Sequence, residues 1–567
     1  MHTRVRSGSA GHATVCKHRQ CLSVTARAAA TSTPSTPSAP KPKAVVIGAG
    51  WAGFGAASAL QQAGCDVTIL DAAPNPGGLS SAFKSANGRT VEPGIKGFWY
   101  QYSNIVSLVD TLGVRDAFTP FTQSSFYSPA GLQVRSPILQ AQPRLPTPLG
   151  SFLYTAPYFT SLPLQDRMSA LPLVGPLLEY SADQAAYNSY DKISALELFR
   201  SAGVSARLYR EFLEPMLLVT LFAPGYKLSA AAALDALYYF VLAHQADFDV
   251  RWCRGAVGER ILAPFAAWLG ERGVRLAGSR PVAELVPPNR AVGRPGRVIV
   301  KPPGGGKEEW EADVVVMAVG VGAAQRIVAS SPALASTPFF SAWNNLGAVD
   351  AAAVRVWLDR RLRPATPSNV LVGFEREVGS TLFHLSDLQD EYKADAGVSV
   401  LEADFYHAAS LLPLSDEALV DKVVGSMLPA VDPGPRPRVL DACVVRLPRA
   451  VSLFAPGCAQ HMPTAATPEP GLFVAGDWLR QGAAQPGPKG LSQEKAYVTG
   501  LEAGNLAAKS VGLSPVAQVL PPEADESHIA AGKEALRQLR AAVRGLPGAA
   551  LLGERLPSPL GGLTLIR

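Results

Sequence analysis

The chain has 567 residues, 47% of them hydrophobic and 17% charged, a composition that supports a large core and excludes wholesale disorder. Its formal net charge of +6 is unevenly placed, because residues 1–43 hold seven Lys or Arg and neither Asp nor Glu. The remaining residues carry 45 basic and 46 acidic side chains without a basic stripe, so we expect no nucleic-acid partner.

The first 43 residues are rich in Ser, Thr, Ala and Arg, and the first acidic residue of the chain is Asp66. This composition is typical of an organelle transit peptide, with a disordered solvated tail as the alternative. The Pro, Ser and Thr residues of segment 31–42 favour a chloroplast over a mitochondrion as the target organelle. The mitochondrion remains the alternative location. We expect the mature protein in the plastid stroma or peripheral on a plastid membrane.

A glycine motif follows directly after this segment. An apolar run leads into Gly48-x-Gly50-x-x-Gly53, and after a small-residue helix pattern a second apolar run ends at Asp71. Gly48 permits a tight strand-to-helix turn, Gly50 lets a pyrophosphate approach the backbone, and Gly53 lets helix and strand pack closely. Asp71 stands where a carboxylate can accept the hydroxyls of a ribose. The order of these pieces predicts a βαβ unit that binds a dinucleotide.

Two further patterns indicate which dinucleotide is bound. Gly77 and Gly78 follow Asp71 after five residues, and near the other end a buried strand pattern ends in Gly476-Asp477 before a small-residue helix. These resemble the acid-x5-Gly-Gly extension and the C-terminal Gly-Asp…Ser-x-Glu-Gly-Ala element of flavin amine oxidases and carotenoid desaturases. The chain is thus similar to the FAD-dependent, phytoene-desaturase-like branch of the flavin amine oxidoreductases.

The resemblance implies FAD as the cofactor and gives roles to particular residues. Gly77 and Gly78 would wrap around the flavin side of the pyrophosphate. Asp477 would contact the ribityl–pyrophosphate region, and the N-terminus of the following helix would face the isoalloxazine. In that helix Lys495 replaces the usual Gly and Thr499 the usual Ser.

Between these elements the resemblance is sparse and covers about residues 43–512. Residues 91–98 are similar to a Glu-x-Gly-x-His-x-Phe segment of the desaturases, with Lys96 where His is common. Lys96 is the one candidate for catalysis, with a surface or phosphate-facing lysine as the alternative, and the catalytic residue otherwise stays unknown. On the match at 254–276, Val282 would offer its backbone to the adenine.

The implied fold class is α/β, a discontinuous Rossmann-type, glutathione-reductase-like FAD-binding domain with an inserted α+β substrate domain. The expected boundaries are 44–120, 251–330 and 465–512 for the FAD-binding domain, 121–250 and 331–464 for the substrate domain, and 513–567 for a C-terminal helical and Pro/Gly extension.

We expect the charged side chains of residues 355–363 to lie on a solvated rim. The proline-rich, apolar segment 134–182 is interpreted as a packed cover, or alternatively as a membrane-docking surface. Cysteine and histidine show no ligand spacing, so we expect no metal.

The function that the resemblance implies is an FAD-dependent oxidoreductase. It would desaturate or isomerise a carotenoid or other prenyl-lipid by hydride transfer to flavin N5, and pass electrons to a quinone or oxygen. Two alternatives stay open: an amine oxidase acting on a small polar substrate, and a non-catalytic flavin-binding assembly or photoprotective protein. Fold alone does not decide among them.

Overall fold

The computed structural model describes residues 40–159, 161–289, 293–394, 397–480 and 487–544. The unit that precedes Lys41 lies outside these ranges apart from Pro40, and the expected Pro/Gly tail also lies outside the described residues. The expected transit peptide is therefore represented only by its last four residues.

The strands of the described chain are β1 Lys43–Ile47, β2 Asp66–Leu70, β3 Phe83–Lys84, β4 Thr90–Val91, β5 Gly97–Trp99, β6 Ser124–Ser128, β7 Gly131–Arg135, β8 Val250–Trp252, β9 Arg275–Ala277, β10 Val282–Val286, β11 Gly296–Val300, β12 Glu308–Ala312, β13 Val314–Met317, β14 Gly347–Leu358, β15 Ser368–Glu375, β16 Val378–His384, β17 Ser399–Tyr406, β18 Val439–Leu453 and β19 Leu472–Val474.

The α-helices are α1 Trp51–Gln62, α2 Ser103–Leu112, α3 Leu149–Thr155, α4 Leu164–Met168, α5 Val174–Glu179, α6 Gln184–Asp191, α7 Ala195–Ser201, α8 Ala206–Leu208, α9 Glu214–Leu221, α10 Ala230–Leu237, α11 Ala263–Gly270, α12 Val321–Ala329, α13 Pro332–Ala335, α14 Pro338–Ser341, α15 Leu385–Leu388, α16 Asp416–Asp421, α17 Leu428–Val431, α18 Gln493–Ser510 and α19 Ser527–Arg544. Wider π-helical turns join α8 to α9 and α16 to α17, continue α10 and precede α11.

A five-stranded parallel sheet forms the nucleotide-binding part, in the order β19-β13-β1-β2-β9. Its strands come from three separate stretches of the chain, and β13 and β19 are buried throughout. Continuous apolar runs suit such strands because helices cover both faces of a parallel sheet. Dinucleotides bind beyond the carboxyl ends of such strands, where the glycine motif and Gly476-Asp477 both lie.

Helices α1 and α18 pack closely along small residues. A Cβ at Gly500 would lie 2.1 Å from the carbonyl oxygen of Ala52, and one at Gly504 would lie 2.6 Å from that of Ala56. Any side chain at these two positions would push the helices apart. The small residues of the C-terminal element therefore hold its helix against the helix of the glycine motif.

Three further strands form an antiparallel meander in the order β10-β11-β12, and a larger mixed sheet is separate from this meander and from the parallel sheet. The larger sheet has the order β18-β14-β17-β16-β15-β6-β7, with β15 and β6 parallel. One face packs an apolar cluster against α16 and α17, and the other packs against β4, β8 and α15. The second face thus turns toward the segment at 91–98.

The expectation of a solvated rim at 355–363 is wrong for Arg355. Its side chain is 1% exposed, and its Nε donates to Glu402, the residue directly opposite on β17. It also donates to the backbone oxygen of Thr90 at 3.0 Å. A guanidinium can be buried here because the neighbouring strand supplies its counter-charge.

The expected amphipathic helix near the C-terminus is present as α19. It packs against α5, and Arg540 of α19 pairs with the buried carboxylate of Glu179. Among the described residues, no helix is both long enough and apolar enough to cross a bilayer.

Candidate functional site

The glycine motif forms a tight turn at the carboxyl end of β1. Gly48 has a φ of +103°, and its backbone N–H donates to the oxygen of Leu70 on the neighbouring strand at 2.7 Å. A Cβ at Gly53 would lie 1.8 Å from the oxygen of Gly48, so this position of α1 admits only glycine. The turn places the N-terminus of α1 at the carboxyl end of the parallel strands, where its N–H groups suit a phosphate.

A second glycine loop faces this turn. A Cβ at Gly50 would lie 3.7 Å from the Cα of Gly78, and a Cβ at Gly78 would lie 3.2 Å from the Cα of Gly50. Gly77 and Gly78 have φ values of +139° and +58°. The backbones of the two loops therefore lie close together without side chains between them. A pyrophosphate can approach this bare backbone, whereas a side chain on either loop would occupy the space.

Asp71 lies beside this glycine cradle, which we define as Gly48, Gly50, Gly77 and Gly78. Its carboxylate accepts from the N–H of Ala49 at 2.6 Å and from that of Ala73 at 2.7 Å. Each carboxylate oxygen can accept a further hydrogen bond, so ribose hydroxyls can still be bound. The backbone oxygen of Asp71 accepts from Arg280 at 2.7 Å, which places Val282 at the start of β10 close to the same end.

The Gly476-Asp477 turn ends β19 and contacts α18. The hydroxyl of Thr499 accepts from the N–H of Gly476 at 3.0 Å. Threonine therefore supplies here the hydroxyl group that serine supplies in the resembling element. Burial raises the pKa of Asp477, although Lys495 and a hydrogen bond from Ser452 act in the opposite direction.

Lys495 lies in the first turn of α18, which Ser492 caps by accepting from the N–H of Lys495 at 2.9 Å. The side chain is 4% exposed, and its ammonium donates to the oxygen of Leu479 at 3.0 Å. It also lies 5.4 Å from the ring centre of Phe454. Burial lowers the pKa of Lys495 to about 7 against the attraction of Asp477.

Lys96 lies among carbonyls and carboxyls. Its ammonium donates to the backbone oxygens of Pro93 at 2.7 Å and Gly94 at 2.6 Å. The backbone N–H of the preceding residue, Ile95, donates to the carboxylate of Asp404 at 2.8 Å. Burial raises the pKa of Glu92 to about 7, and burial together with Glu402 raises that of Asp404. Lys96 thus belongs to a group of buried ionisable side chains whose role stays a prediction.

Gln493 links the separate parts of the site. It accepts from the indole N–H of Trp51 at 2.9 Å and donates to the oxygen of Gly97 at 3.1 Å. The next residue, Glu494, is buried and accepts from the N–H groups of Asn104 and Ile105, which begin α2. The glycine motif, the 91–98 segment and α18 therefore meet at one place.

Sequence reasoning missed several of these residues for different reasons. Gln493 and Glu494 stand within the recognised C-terminal element, so its pattern could have suggested them. Trp51 follows Gly50 directly, but nothing local predicts its contact with Gln493. No local sequence pattern singles out Asp404, because its proximity to Lys96 depends on the register of β17.

Within the described ranges, no group of three or more His, Cys, Asp or Glu side chains could hold a metal ion.

Residues 51–503 match the pattern of the family described as flavin containing amine oxidoreductase, which is most of the chain. The chain belongs to this family. This flavin amine oxidoreductase is 25% identical over 456 residues to the 15-cis-phytoene desaturase of Capsicum annuum, covering 79% of this chain and 75% of the relative. It is 24% identical over 450 residues to the 15-cis-phytoene desaturase of Synechococcus elongatus, covering 77% and 91%.

Among solved structures, cyclohexylamine oxidase from Brevibacterium oxydans superimposes with a TM-score of 0.62 at 15% identity, over 83% of this chain and all of the other. This similarity confirms the predicted fold class. The predictions of FAD as the cofactor and of an FAD-dependent oxidoreductase are confirmed by the family. The glycine cradle and the carboxylates at both ends of the site suit that cofactor, and the individual contacts stay predictions.

Proposed function

We propose that this flavin amine oxidoreductase desaturates or isomerises a carotenoid or another prenyl-lipid. The observation that carries the proposal is the similarity to 15-cis-phytoene desaturases over more than three quarters of the chain. Phytoene-like polyenes are apolar and dissolve in membranes rather than in water. A protein that acts on them needs access to a lipid phase, and a feature of the surface supports such access.

Eight large apolar side chains of segment 149–174 are exposed to between 39% and 65%. We call them the apolar docking surface: Leu149, Phe152, Leu153, Tyr158, Leu164, Met168, Leu171 and Val174. From residue 145 to residue 174 the sequence contains only two charged residues, Asp166 and Arg167. Exposed apolar patches of this kind mark interaction sites. We infer that a lipid bilayer covers this one, since it could deliver a substrate of this chemistry.

The chemistry would divide between the cofactor and the protein. FAD supplies a hydride acceptor at N5, and the protein orients the substrate and excludes water. Desaturation also removes a proton from the neighbouring carbon, and the electron pair of that C–H bond forms the double bond. The group around Lys96 suits this proton transfer, because three carboxyls, Glu92, Glu402 and Asp404, face two cations, Lys96 and Arg355. Burial raises the pKa of Glu92 to about 7 and, together with Glu402, raises that of Asp404, so these carboxyls suit a group that holds and exchanges a proton.

Anaerobic mixing of the purified holoenzyme with apolar polyenes tests the proposal. We expect a polyene precursor to bleach the oxidised flavin with formation of one new double bond, and a quinone or oxygen to restore the colour. An isomerase would instead convert its substrate only with pre-reduced flavin and show no net change in flavin colour. Asp404→Asn should slow bleaching by about 10²-fold, typical of a lost proton-transfer group, with FAD content unchanged.

The other functions predict different results in the same experiment. Rapid bleaching by small amines, with none by polyenes, would show an amine oxidase. No response to either class, whether the flavin is oxidised or reduced, would show a flavoprotein without this turnover. Each of these two results would overturn the proposal.

Flotation with vesicles of uncharged plastid-type galactolipids tests the docking surface. We expect the protein to float with the vesicles, and the double substitution Phe152→Glu and Leu153→Glu to leave it in the soluble fraction. The matched control replaces Leu440 and Val516 by Glu, since these side chains are similarly exposed but lie outside segment 149–174. Equal flotation of both double variants would contradict a docking role for segment 149–174.

A further inference from the structure

Lys495 occupies a position that is electrostatically unfavourable for a cation. It is buried in the first turn of α18, an eighteen-residue helix, and the partial positive charge of a helix lies at its N-terminus. Burial also disfavours an ammonium, because the charge leaves water. A lysine in such a place depends on negative charge nearby, whereas the resembling element has glycine here and avoids the problem.

The charged and titratable groups that face Lys495 are Asp477, Asp235, Lys489 and Cys458. Asp235, on α10, already accepts from two buried tyrosine hydroxyls at 3.0 and 3.1 Å and lies 3.9 Å from the ammonium of Lys489. Asp477, which acts on Lys495 more strongly than Asp235 does, is therefore the main anion that balances it. This pair joins the two parts of the site that the family resemblance assigns to the flavin end, the Gly-Asp turn and the N-terminus of α18.

We propose that the Lys495 ammonium stabilises the negative charge that the bound flavin acquires on two-electron reduction, and thereby raises its reduction potential. Charge beside the flavin ring nitrogens is one of the means by which a protein tunes this cofactor. The N-terminus of α18 and Lys495 would act in the same direction. Asp477, which accepts a hydrogen bond from Ser452, would balance part of this positive charge while the flavin is oxidised. The proposal depends on FAD binding and not on the identity of the substrate.

The test compares the midpoint potential and the sulfite affinity of the flavin in purified holoproteins. Sulfite adds to flavin N5 and pushes an electron pair into the ring, so it reports the same stabilisation of negative charge without any substrate. We expect Lys495→Met to weaken sulfite binding at least tenfold and to lower the potential by about 30 mV, the equivalent of a tenfold change for a two-electron couple. Lys495→Gly, which restores the residue of the resembling element, should act in the same direction.

Two control variants separate the proposal from a structural role. Lys495→Arg keeps the charge and should retain most of the sulfite affinity and potential. Lys489→Met removes the neighbouring half-buried lysine, which is paired with Asp235, and should change both quantities much less than Lys495→Met does. FAD content and the unfolding temperature are measured for every variant, with added FAD where retention is weak.

The decisive outcome is the behaviour of the flavin in Lys495→Met and Lys495→Gly. If either variant binds FAD with wild-type potential and sulfite affinity, and shows only a lower unfolding temperature, Lys495 merely neutralises Asp477 and the proposal is wrong. A failure of the polyene experiment would leave this result unaffected, so the two proposals fail independently.

Discussion

Asp477 combines two demands on one carboxylate. The family resemblance predicts that it contacts a bound flavin, yet it lies in a partly buried turn where burial raises its pKa and Lys495 opposes that shift. Lys495, a neighbour that the resembling element lacks, therefore favours the ionised form of this carboxylate against the effect of burial. Lys96 and Asp404 show the same arrangement at another part of the site.

Replacing Asp477 should weaken FAD binding. We expect Asp477→Ala to lose about 1.5–3 kcal/mol of binding free energy, the range for a hydrogen bond to a charged group. Fluorescence titration of the apoprotein with FAD measures the loss. Asp116→Ala, which removes an exposed carboxylate, is the control and should bind like the wild type. Equal affinity for the two variants would mean that the flavin does not reach the Gly-Asp turn.

Glu92 should make stability depend on pH. Its pKa rises from 4.5 to about 7 on folding, mainly through burial, so between these values the folded protein holds a proton that the unfolded chain releases. Stability must then fall as pH rises through this window. Glutamine resembles the neutral acid but does not titrate. Between pH 5 and pH 7 the free energy of unfolding of Glu92→Gln should therefore fall by about 2–3 kcal/mol less than that of the wild type. Urea unfolding of both proteins across this range measures the difference, and parallel curves would contradict the shift.

At the scale of elements, the paired helices α1 and α18 connect the first and last parts of the site. The sequence alone predicts that each helix has a small-residue surface, because the glycine spacing within each motif is local. It does not predict that Gly500 contacts Ala52, since this contact joins segments almost 450 residues apart. The same limit explains the error at Arg355: its partner Glu402 becomes a neighbour only through the register of β14 and β17.

Gly500→Ala should therefore destabilise the protein and reduce FAD retention. Its Cβ would lie 2.1 Å from the oxygen of Ala52, and we expect a cost of about 1–3 kcal/mol from forced overpacking. Gly270→Ala is the matched control, because it also lies in a helix but its Cβ would meet open space. That variant should be unchanged or slightly more stable. Thermal unfolding with and without FAD compares them, and equal stability would show that α1 and α18 can separate without cost.

For the whole molecule, the parts differ in how far sequence alone determined them. The cofactor, the fold class and the family followed from motifs that are contiguous in sequence, and these predictions are confirmed. The exposure of segment 149–174 was one of two open interpretations, because proline-rich apolar sequence suits both a packed cover and a docking surface. Side-chain exposure favours docking, and the vesicle experiment tests it.

Targeting is a property of the whole chain that stays a prediction. The Capsicum annuum relative is named as chloroplastic and chromoplastic, which supports a plastid address for this chain. We expect residues 1–43, fused to a fluorescent reporter, to carry it into plastids of plant or algal cells. A fusion in which the seven basic residues are replaced by Gln serves as the control and should stay in the cytosol. Import of the first fusion into mitochondria would contradict the plastid address.

A crystal structure of the protein in complex with FAD tests the central claim most directly. We expect the pyrophosphate against the backbone of Gly50 and Gly78, the adenosine ribose at Asp71, and the isoalloxazine end beside Asp477 and the N-terminus of α18. Lys495 should then lie within contact distance of the flavin ring. A flavin bound in the opposite direction, or away from the glycine cradle, would contradict the account.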